Sequence, residues 1–278
     1  MKNWKNILIP EHTIFGITKF TQLGNSLVQI CNAINVAKKS NSTCRMPSSS
    51  VNPDVMNFLK TIPNVDDIKD RKTEVERKFY FENECFGYRM TNEDRRNILH
   101  QYVYPHLNIG DAPSVKDDTL VIHIRSGDIF NEWIHQNYVQ PPLEYYKKII
   151  DEKEPNDVLI VSQKDLSNPC IDALISWDSK VRIQTGSIQE DVSSILKAKS
   201  LVIGFGTFGW MLSLMSKNIE DLYCPNIVTD VFSSEFENCP YKIRRFNFPN
   251  YIPIGNWKRT NEQMQHMIDY KKDLIVEV

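Results

Sequence analysis

The stretch "TLVIHIRSGDIF", residues 119–130, decides the fold because an apolar β-rich run ends there in a polar turn. Its first part, 119–125, has the β-branched composition of a buried strand. In doubly wound α/β folds ligands bind beyond the carboxyl ends of parallel strands, so the turn predicts a functional site. Arg125 has the planar fork that holds a diphosphate, and Asp128 or Glu132 could take a proton from a hydroxyl.

The same turn admits a structural interpretation. Arg125 and Asp128 could form an ion pair that holds the turn, with His123 packed as a core histidine. The residues alone leave both interpretations open.

The second half of the chain alternates strands and helices. Four further β-rich runs lie at 157–162, 181–186, 200–206 and 221–225. Amphipathic helical patterns separate several of them, as in "PPLEYYKKIIDE" and "QEDVSSILKAK". Such alternation predicts a parallel sheet covered by helices.

The first half begins in a similar way. A strand at "NILIP" or "TIFGIT" precedes the helical pattern "GNSLVQICNAINVAKKS" and a short strand at "TCRMP". "NIGDAPSVKDD", residues 108–118, has the composition of a linker. We therefore predict an α/β protein of two Rossmann-like lobes with a cleft between them, the first over 1–115 and the second over 116–278.

Composition excludes several classes. Lys and Arg total 33 against 35 Asp and Glu, so the basic excess of a nonspecific nucleic-acid binder is missing. No stretch approaches the roughly 18 apolar residues of a membrane-spanning helix, and no signal peptide is visible. The six cysteines form no CxxC pair, which favours reduced, partly buried thiols.

Two glycine-bearing turns are candidate anion sites. At "LGNS", residues 23–26, Gly24 would let a phosphate approach the backbone, and Asn25 or Ser26 is predicted to cap the following helix. An ordinary strand-turn-helix joint would have the same residues.

The second turn, "GFGTFGW", fits G-x-G-x-x-G, which is typical of dinucleotide-dependent oxidoreductases. Its late position in the sheet and the bulky Phe208 argue against a dinucleotide. A phosphate site fits as well, with Thr207 offering a hydroxyl and its neighbours offering amides. No Asp-x-Asp pair occurs in the chain, which favours a metal-free site whose charge is balanced by arginine and helix-end amides.

Taken in order, "QLGNSLVQICNAINVAKKSN", "VIHIRSGDIF" and "QEDVSSILKAKSLVIGFGTFGWMLSLMS" resemble three motifs of the α1,2-fucosyltransferase family and its wider superfamily. Those motifs read G-L-G-N-Q-x-F-Q, then H-x-R-R-x-D, then an acidic helix and a strand followed by S-x-S/T-F-S-W-W. The resemblance implies a two-lobed inverting glycosyltransferase of the GT-B type that needs no metal or other cofactor and transfers fucose from GDP-fucose to a glycan hydroxyl.

The resemblance also implies residue roles. Arg125 would stabilise the departing diphosphate, and Asp191 matches an acid that reads the guanine edge. The base would be Asp128 or Glu132, although the superfamily includes members without an obvious base. The predicted donor-binding residues are Gly24, Asn25, His123, Asp191, Gly206, Thr207 and Phe208.

This chain departs from the motifs at several positions. Ser126 replaces the second arginine, glycines 206 and 209 replace serines, and "SQKD" at 162–165 stands where the family has S-D-D. These changes leave two alternatives open: transfer of another sugar, such as xylose from UDP-xylose, and a carbohydrate-binding protein with a decayed active site. Because a Golgi transferase normally has a membrane segment, we expect a cytoplasmic enzyme of bacterial or viral origin.

Overall fold

The computed structural model describes residues 9, 13–65, 73–80, 85–112, 114–130, 134–226 and 239–278. The chain forms two compact units, Met1–Asn108 and Ile109–Val278. The division falls at the start of the segment that composition predicts as a linker, somewhat before the predicted boundary at 115. Within the described residues, no helix combines the length and apolarity needed to cross a membrane.

The first unit contains a three-stranded parallel sheet of order β2-β1-β3. Its strands are β1 (Thr13–Ile17), β2 (Thr43–Arg45) and β3 (Thr73–Arg77). Its α-helices are α1 (Leu23–Lys39), α2 (Pro53–Leu59) and α3 (Asn92–Ile98), the last continuing into a π turn and a 3-10 turn. All five residues of the central strand β1 are buried, whereas the edge strand β3, "TEVER", is half-exposed and charged.

Amide side chains along one face of α1 hold the irregular segment that follows β3. Gln29 and Asn32 donate hydrogen bonds to the carbonyls of Lys78 and Phe79, at 2.7 and 2.9 Å. Asn35 donates to a carbonyl further along the same segment, at 3.0 Å. Because residues three apart share a helix face, these amides form one polar stripe on an otherwise buried helix.

Asn32→Ala is expected to destabilise the protein by about 1–3 kcal/mol, because it leaves the buried Phe79 carbonyl without its donor. Urea unfolding measures the effect. The matched control is Asn57→Ala on the exposed face of α2, which should change stability by less than about 0.5 kcal/mol. Equal effects of the two variants would contradict a structural role for the amide stripe.

The second unit contains a seven-stranded sheet of order β10-β9-β8-β7-β4-β5-β6, in which only β10 is antiparallel to its neighbour. The strands are β4 (Thr119–His123), β5 (Asp157–Val161), β6 (Val181–Gln184), β7 (Ser200–Ile203), β8 (Asp221–Pro225), β9 (Lys242–Asn247) and β10 (Val276–Glu277). The α-helices are α4 (Leu143–Lys153), α5 (Pro169–Trp177), α6 (Ile188–Lys197), α7 (Thr207–Met215) and α8 (Asn261–Asp269).

The six parallel strands have the doubly wound order of a Rossmann sheet. Counted along the chain from β4, they lie in the order 3-2-1-4-5-6. Helices α4, α5 and α8 pack together, and α6 packs with α7, as right-handed crossovers on the two faces require. The predicted α/β class is confirmed, and the strand order places the topological switch point between β4 and β7.

The C-terminal segment braces the turn that follows β4. The indole of Trp257 donates to the carbonyl of Ile129 at 3.2 Å and packs edge-on against Phe130, with ring centroids 5.6 Å apart. Trp257 is 1% exposed, so this contact belongs to the core. The segment therefore fixes the short 3-10 turn Gly127–Phe130, which carries Asp128.

Candidate functional site

The turn that follows β4 is held by the N-terminus of α5. The side-chain amide of Asn168, the N-cap of α5, donates to the carbonyl of Arg125 at 2.9 Å. Its backbone N–H donates to the hydroxyl of Ser126 at 3.1 Å, and the N–H of Gly127 donates to the hydroxyl of Ser167 at 3.3 Å. Ser126, which stands where the motif has a second arginine, is fully buried in this network. Its place in the turn is thus structural.

Gly127 is required by the same turn. Its φ is +73°, in the left-handed region, and a Cβ added there would overlap the side-chain oxygen of Gln163. The close approach of the segment after β5 therefore depends on this glycine.

The Arg125 guanidinium is enclosed by three groups. Its Nη2 contacts both carboxylate oxygens of Asp128, at 3.1 and 3.2 Å, which is the ion pair of the structural interpretation. Its Cζ lies 4.2 Å from the ring centroid of Tyr138. Its Nη1 lies 3.4 Å from the position that a Cβ at Gly206 would occupy. Since the ion pair uses Nη2, the Nη1 edge faces the loop after β7.

That loop leads into α7 through Gly206, the N-cap residue. Gly206 has φ +139° and ψ 158°, so the backbone there suits glycine alone. Thr207 and Phe208 form the first turn of the helix. Helix N-termini carry partial positive charge and favour anions, and here the Arg125 guanidinium adds a full one. The two positive features lie together at the switch point.

Gly209 allows α7 to pack closely on the sheet. A Cβ there would lie 2.8 Å from Cγ2 of Ile203 and 3.2 Å from Nδ1 of His123. The structure therefore explains why glycine replaces serine at both positions. Gly206 has a backbone conformation that favours glycine, and Gly209 allows the helix to contact the strand.

His123 is buried beneath the first turn of α7. Its ring lies 5.0 Å from that of Phe208, and burial, aided by the nearby charge of Arg125, lowers its pKa to about 3. The imidazole is therefore neutral at physiological pH. It supports the loop that carries Thr207, and its predicted contact with a donor stays a prediction.

Asp191 also lies at the edge formed by the carboxyl ends of the parallel strands. It is in the first turn of α6, which follows β6, the outermost strand on that side of the sheet. Burial raises the pKa of its carboxyl to about 6, although hydrogen bonds from Gln184 and Gly186 act against the shift. The Gln184 amide donates to Oδ1 at 3.2 Å and is itself fixed by the Ser194 hydroxyl at 3.1 Å. A carboxylate kept partly buried at the ligand edge of a sheet is typical of a functional group.

The two predicted residues of the first unit lie inside α1. The N-cap of that helix is Gln22, so the predicted capping by Asn25 or Ser26 is wrong. The helix begins earlier than the sequence pattern indicated, and the Asn25 side-chain oxygen instead accepts from the Tyr80 hydroxyl at 2.8 Å. Donor binding by Gly24 and Asn25 stays a prediction.

The structure adds residues that sequence reasoning missed. Tyr138, Gln163 and Asn168 all contact the Arg125 turn from other segments. A partial signal existed for Gln163, which belongs to the "SQKD" departure noted above. Glu132 lies outside the described residues. No cluster of three or more His, Cys, Asp or Glu suited to a metal ion occurs in the part of the chain that the structure describes.

No protein-family model and no curated protein matches the chain. Several solved structures do match the chain. The iron-containing dodecameric glycosyltransferase TibC from enterotoxigenic E. coli H10407 is 11% identical over 95% of this chain and 74% of that chain, with a TM-score of 0.49. E. coli ADP-heptose LPS heptosyltransferase II is 10% identical over 94% and 95%, with a TM-score of 0.45. NodZ α-1,6-fucosyltransferase, soaked with GDP-fucose, is 9% identical over 87% and 97%, with a TM-score of 0.39. At these values the likenesses identify neither a substrate nor a reaction.

Asp191→Asn is expected to stabilise the ligand-free protein. Because the pKa is raised from 3.8 to about 6 on folding, ionisation opposes folding as the pH rises through that range. The variant keeps an oxygen acceptor for Gln184 and should gain about 1–3 kcal/mol at pH 7.5. The gain should shrink as the pH falls towards 4, where the carboxyl is neutral in the folded state.

Urea unfolding at pH 7.5 and 4.5 measures this pH dependence. Asp111→Asn is the matched control, since Asp111 is an exposed aspartate outside the helices and strands. It should change stability by less than about 0.5 kcal/mol. An Asp191→Asn protein no more stable than the parent at pH 7.5 would contradict the expected penalty.

Proposed function

We propose that this protein is a glycosyltransferase whose second unit holds the diphosphate of a nucleotide-sugar donor between Arg125 and the N-terminus of α7. The proposal rests on one contact. The guanidinium of Arg125, in the turn after β4, lies beside Gly206, in the loop after the neighbouring strand β7. In open α/β sheets this crevice is where ligands bind. The three motifs, in their order along the chain, support the same reaction class.

The proposed reaction is a metal-independent, inverting transfer. A glycan hydroxyl attacks the anomeric carbon of the donor, the bond from that carbon to the diphosphate oxygen breaks, and the hydroxyl loses its proton. Charge builds up on the departing diphosphate. Nη1 of Arg125 and the amides of the first turn of α7 are preorganised to stabilise that charge, because neither has to move far to meet it. In the first unit, Gly24 and Asn25 are proposed to contact the donor and the acceptor.

We propose GDP-fucose as the donor. The guanine edge offers two neighbouring N–H donors, which a carboxylate such as Asp191 can accept together, whereas the uracil edge offers one. A UDP-sugar is the alternative donor. The dinucleotide alternative loses support because the glycine-rich loop follows β7, the fourth strand of the second unit. The first strand of that unit, β4, is followed by Arg125 instead.

A thermal-shift panel of GDP, UDP, ADP, GDP-fucose, UDP-xylose and NAD tests the proposal. A ligand at about 100 times its Kd adds roughly 2.7 kcal/mol of stability, which raises Tm by a few degrees. We expect responses to GDP and GDP-fucose. Responses to UDP ligands alone would remove the assigned role of Asp191, and a response to NAD alone would overturn the glycosyltransferase proposal.

Arg125→Ala should reduce the GDP shift and lower transfer by about 10²–10³-fold, the effect typical of losing one preorganised charge contact. Arg182→Ala is the matched control. Arg182 also pairs with an aspartate, Asp157, but at the start of β5 and β6, which is the opposite edge of the sheet. Unaltered nucleotide binding by a folded Arg125→Ala protein would defeat the proposal.

Asp128→Asn separates two roles for that carboxylate. Both Asp128 oxygens contact Nη2 of the arginine assigned to the leaving group, whereas in-line attack requires the base on the opposite side of the anomeric carbon. We therefore expect an altered donor Kd and, at saturating donor, less than about a tenfold loss of turnover. A general base contributes about 10²–10⁴-fold, so a loss of that size with unchanged donor Kd would restore the base role.

A further inference from the structure

The aromatic ring of Tyr138 packs against the guanidinium of Arg125. The distance of 4.2 Å from Cζ to the ring centroid is well inside the range of a cation–π contact. The Arg125 side chain is 20% exposed, so part of its hydration has been replaced by this ring. Partial desolvation strengthens the attraction between a cation and an aromatic face.

The position of Tyr138 is fixed by the segment that carries it, residues 134–140, which we call the strap. The carbonyl of Gln136 accepts from the N–H groups of Gly255 and Trp257, both at 3.1 Å. At its other end, the carbonyl of Gln140 accepts from the Tyr251 hydroxyl at 2.9 Å. The strap is therefore anchored to the C-terminal segment at both ends.

The strap is also joined to the loop after β7. Gln140 is fully buried, and its side-chain amide donates to the carbonyl of Phe205 at 3.4 Å. Phe205 directly precedes Gly206, against which Nη1 of Arg125 lies. The strap thus contacts both Arg125 and the loop after β7, the two parts of the proposed diphosphate site.

We propose that Tyr138 is a positioning residue for Arg125. An arginine side chain has several rotatable bonds, and the Asp128 ion pair holds only Nη2. The ring packs against the guanidinium and so helps to keep Nη1 beside Gly206. This inference rests on the proposed function, because the orientation matters only if an anion binds there.

The test compares Tyr138→Leu with Tyr138→Phe, which keeps an aromatic face. Calorimetry gives the Kd of GDP and of guanosine, which lacks the phosphates that Arg125 would hold. Tyr102→Leu is the matched control: Tyr102 is a partly exposed tyrosine with a cation–π contact to Lys38, in the first unit. Each variant is also introduced into Arg125→Met.

We expect Tyr138→Leu to raise the Kd of GDP by about three- to thirtyfold, with the Kd of guanosine unchanged. Tyr138→Phe should restore most of the affinity, and Tyr102→Leu should have no effect. In the Arg125→Met background, Tyr138→Leu should cause no further loss.

Two results would overturn the inference while leaving the proposed function intact. One is a Tyr138→Leu protein that binds GDP as tightly as the parent does, while Arg125→Met binds GDP more weakly. The other is an equal loss for GDP and guanosine, or a loss that persists in the Arg125→Met background, since either shows a general structural effect. A parent protein that binds no nucleoside diphosphate would remove the proposed function and this inference together.

Discussion

The parallel pairing of β4 with β7 is the constraint on which the rest of the second unit depends. Leu120 pairs with Ser200 and His123 with Ile203, so two strands far apart in sequence end side by side. The chain leaves β4 in one direction along the sheet and returns to the other side of it at β7, with helices on opposite faces. The two loops that follow these strands therefore meet with no helix covering the gap between them.

At that meeting point α7 lies close to the sheet because Gly209 leaves room for Ile203 and His123. Nη1 of Arg125 lies beside Gly206, 3.4 Å from the position that a Cβ there would occupy. Packing a charged group this closely would oppose folding unless its field were balanced. The Asp128 carboxylate balances it on one edge and the Tyr138 ring on one face. Burial of the Asp191 carboxyl is not offset in this way, and the pKa of that carboxyl is therefore raised.

Strands with a strong apolar signal could be predicted, and those without one could not. The runs that became β4, β5 and β7 are buried along nearly their whole length, so their β-rich composition identified them. Two charged strands were missed, the edge strand "TEVER" and "KIRRFN", which lies between β8 and β10. Their neighbours in space, not their composition, make them strands. Within the site, the pair of Arg125 with Asp128 is local and was foreseen as one of two interpretations. The contacts of Tyr138 and Asn168 arise from tertiary structure and left no pattern in the sequence.

The departure at Ser126 explains why a single arginine matters so much here. Ser126 is fully buried and accepts the N–H of Asn168, which caps α5, so a longer side chain directed the same way would displace the start of that helix. The turn therefore offers one guanidinium where the motif it resembles has two arginines. Under the proposed function, a single cation makes diphosphate binding depend more on how that cation is oriented than on how many charges surround it. The groups that orient Arg125 would then belong to the proposed site, although none of them need touch the ligand.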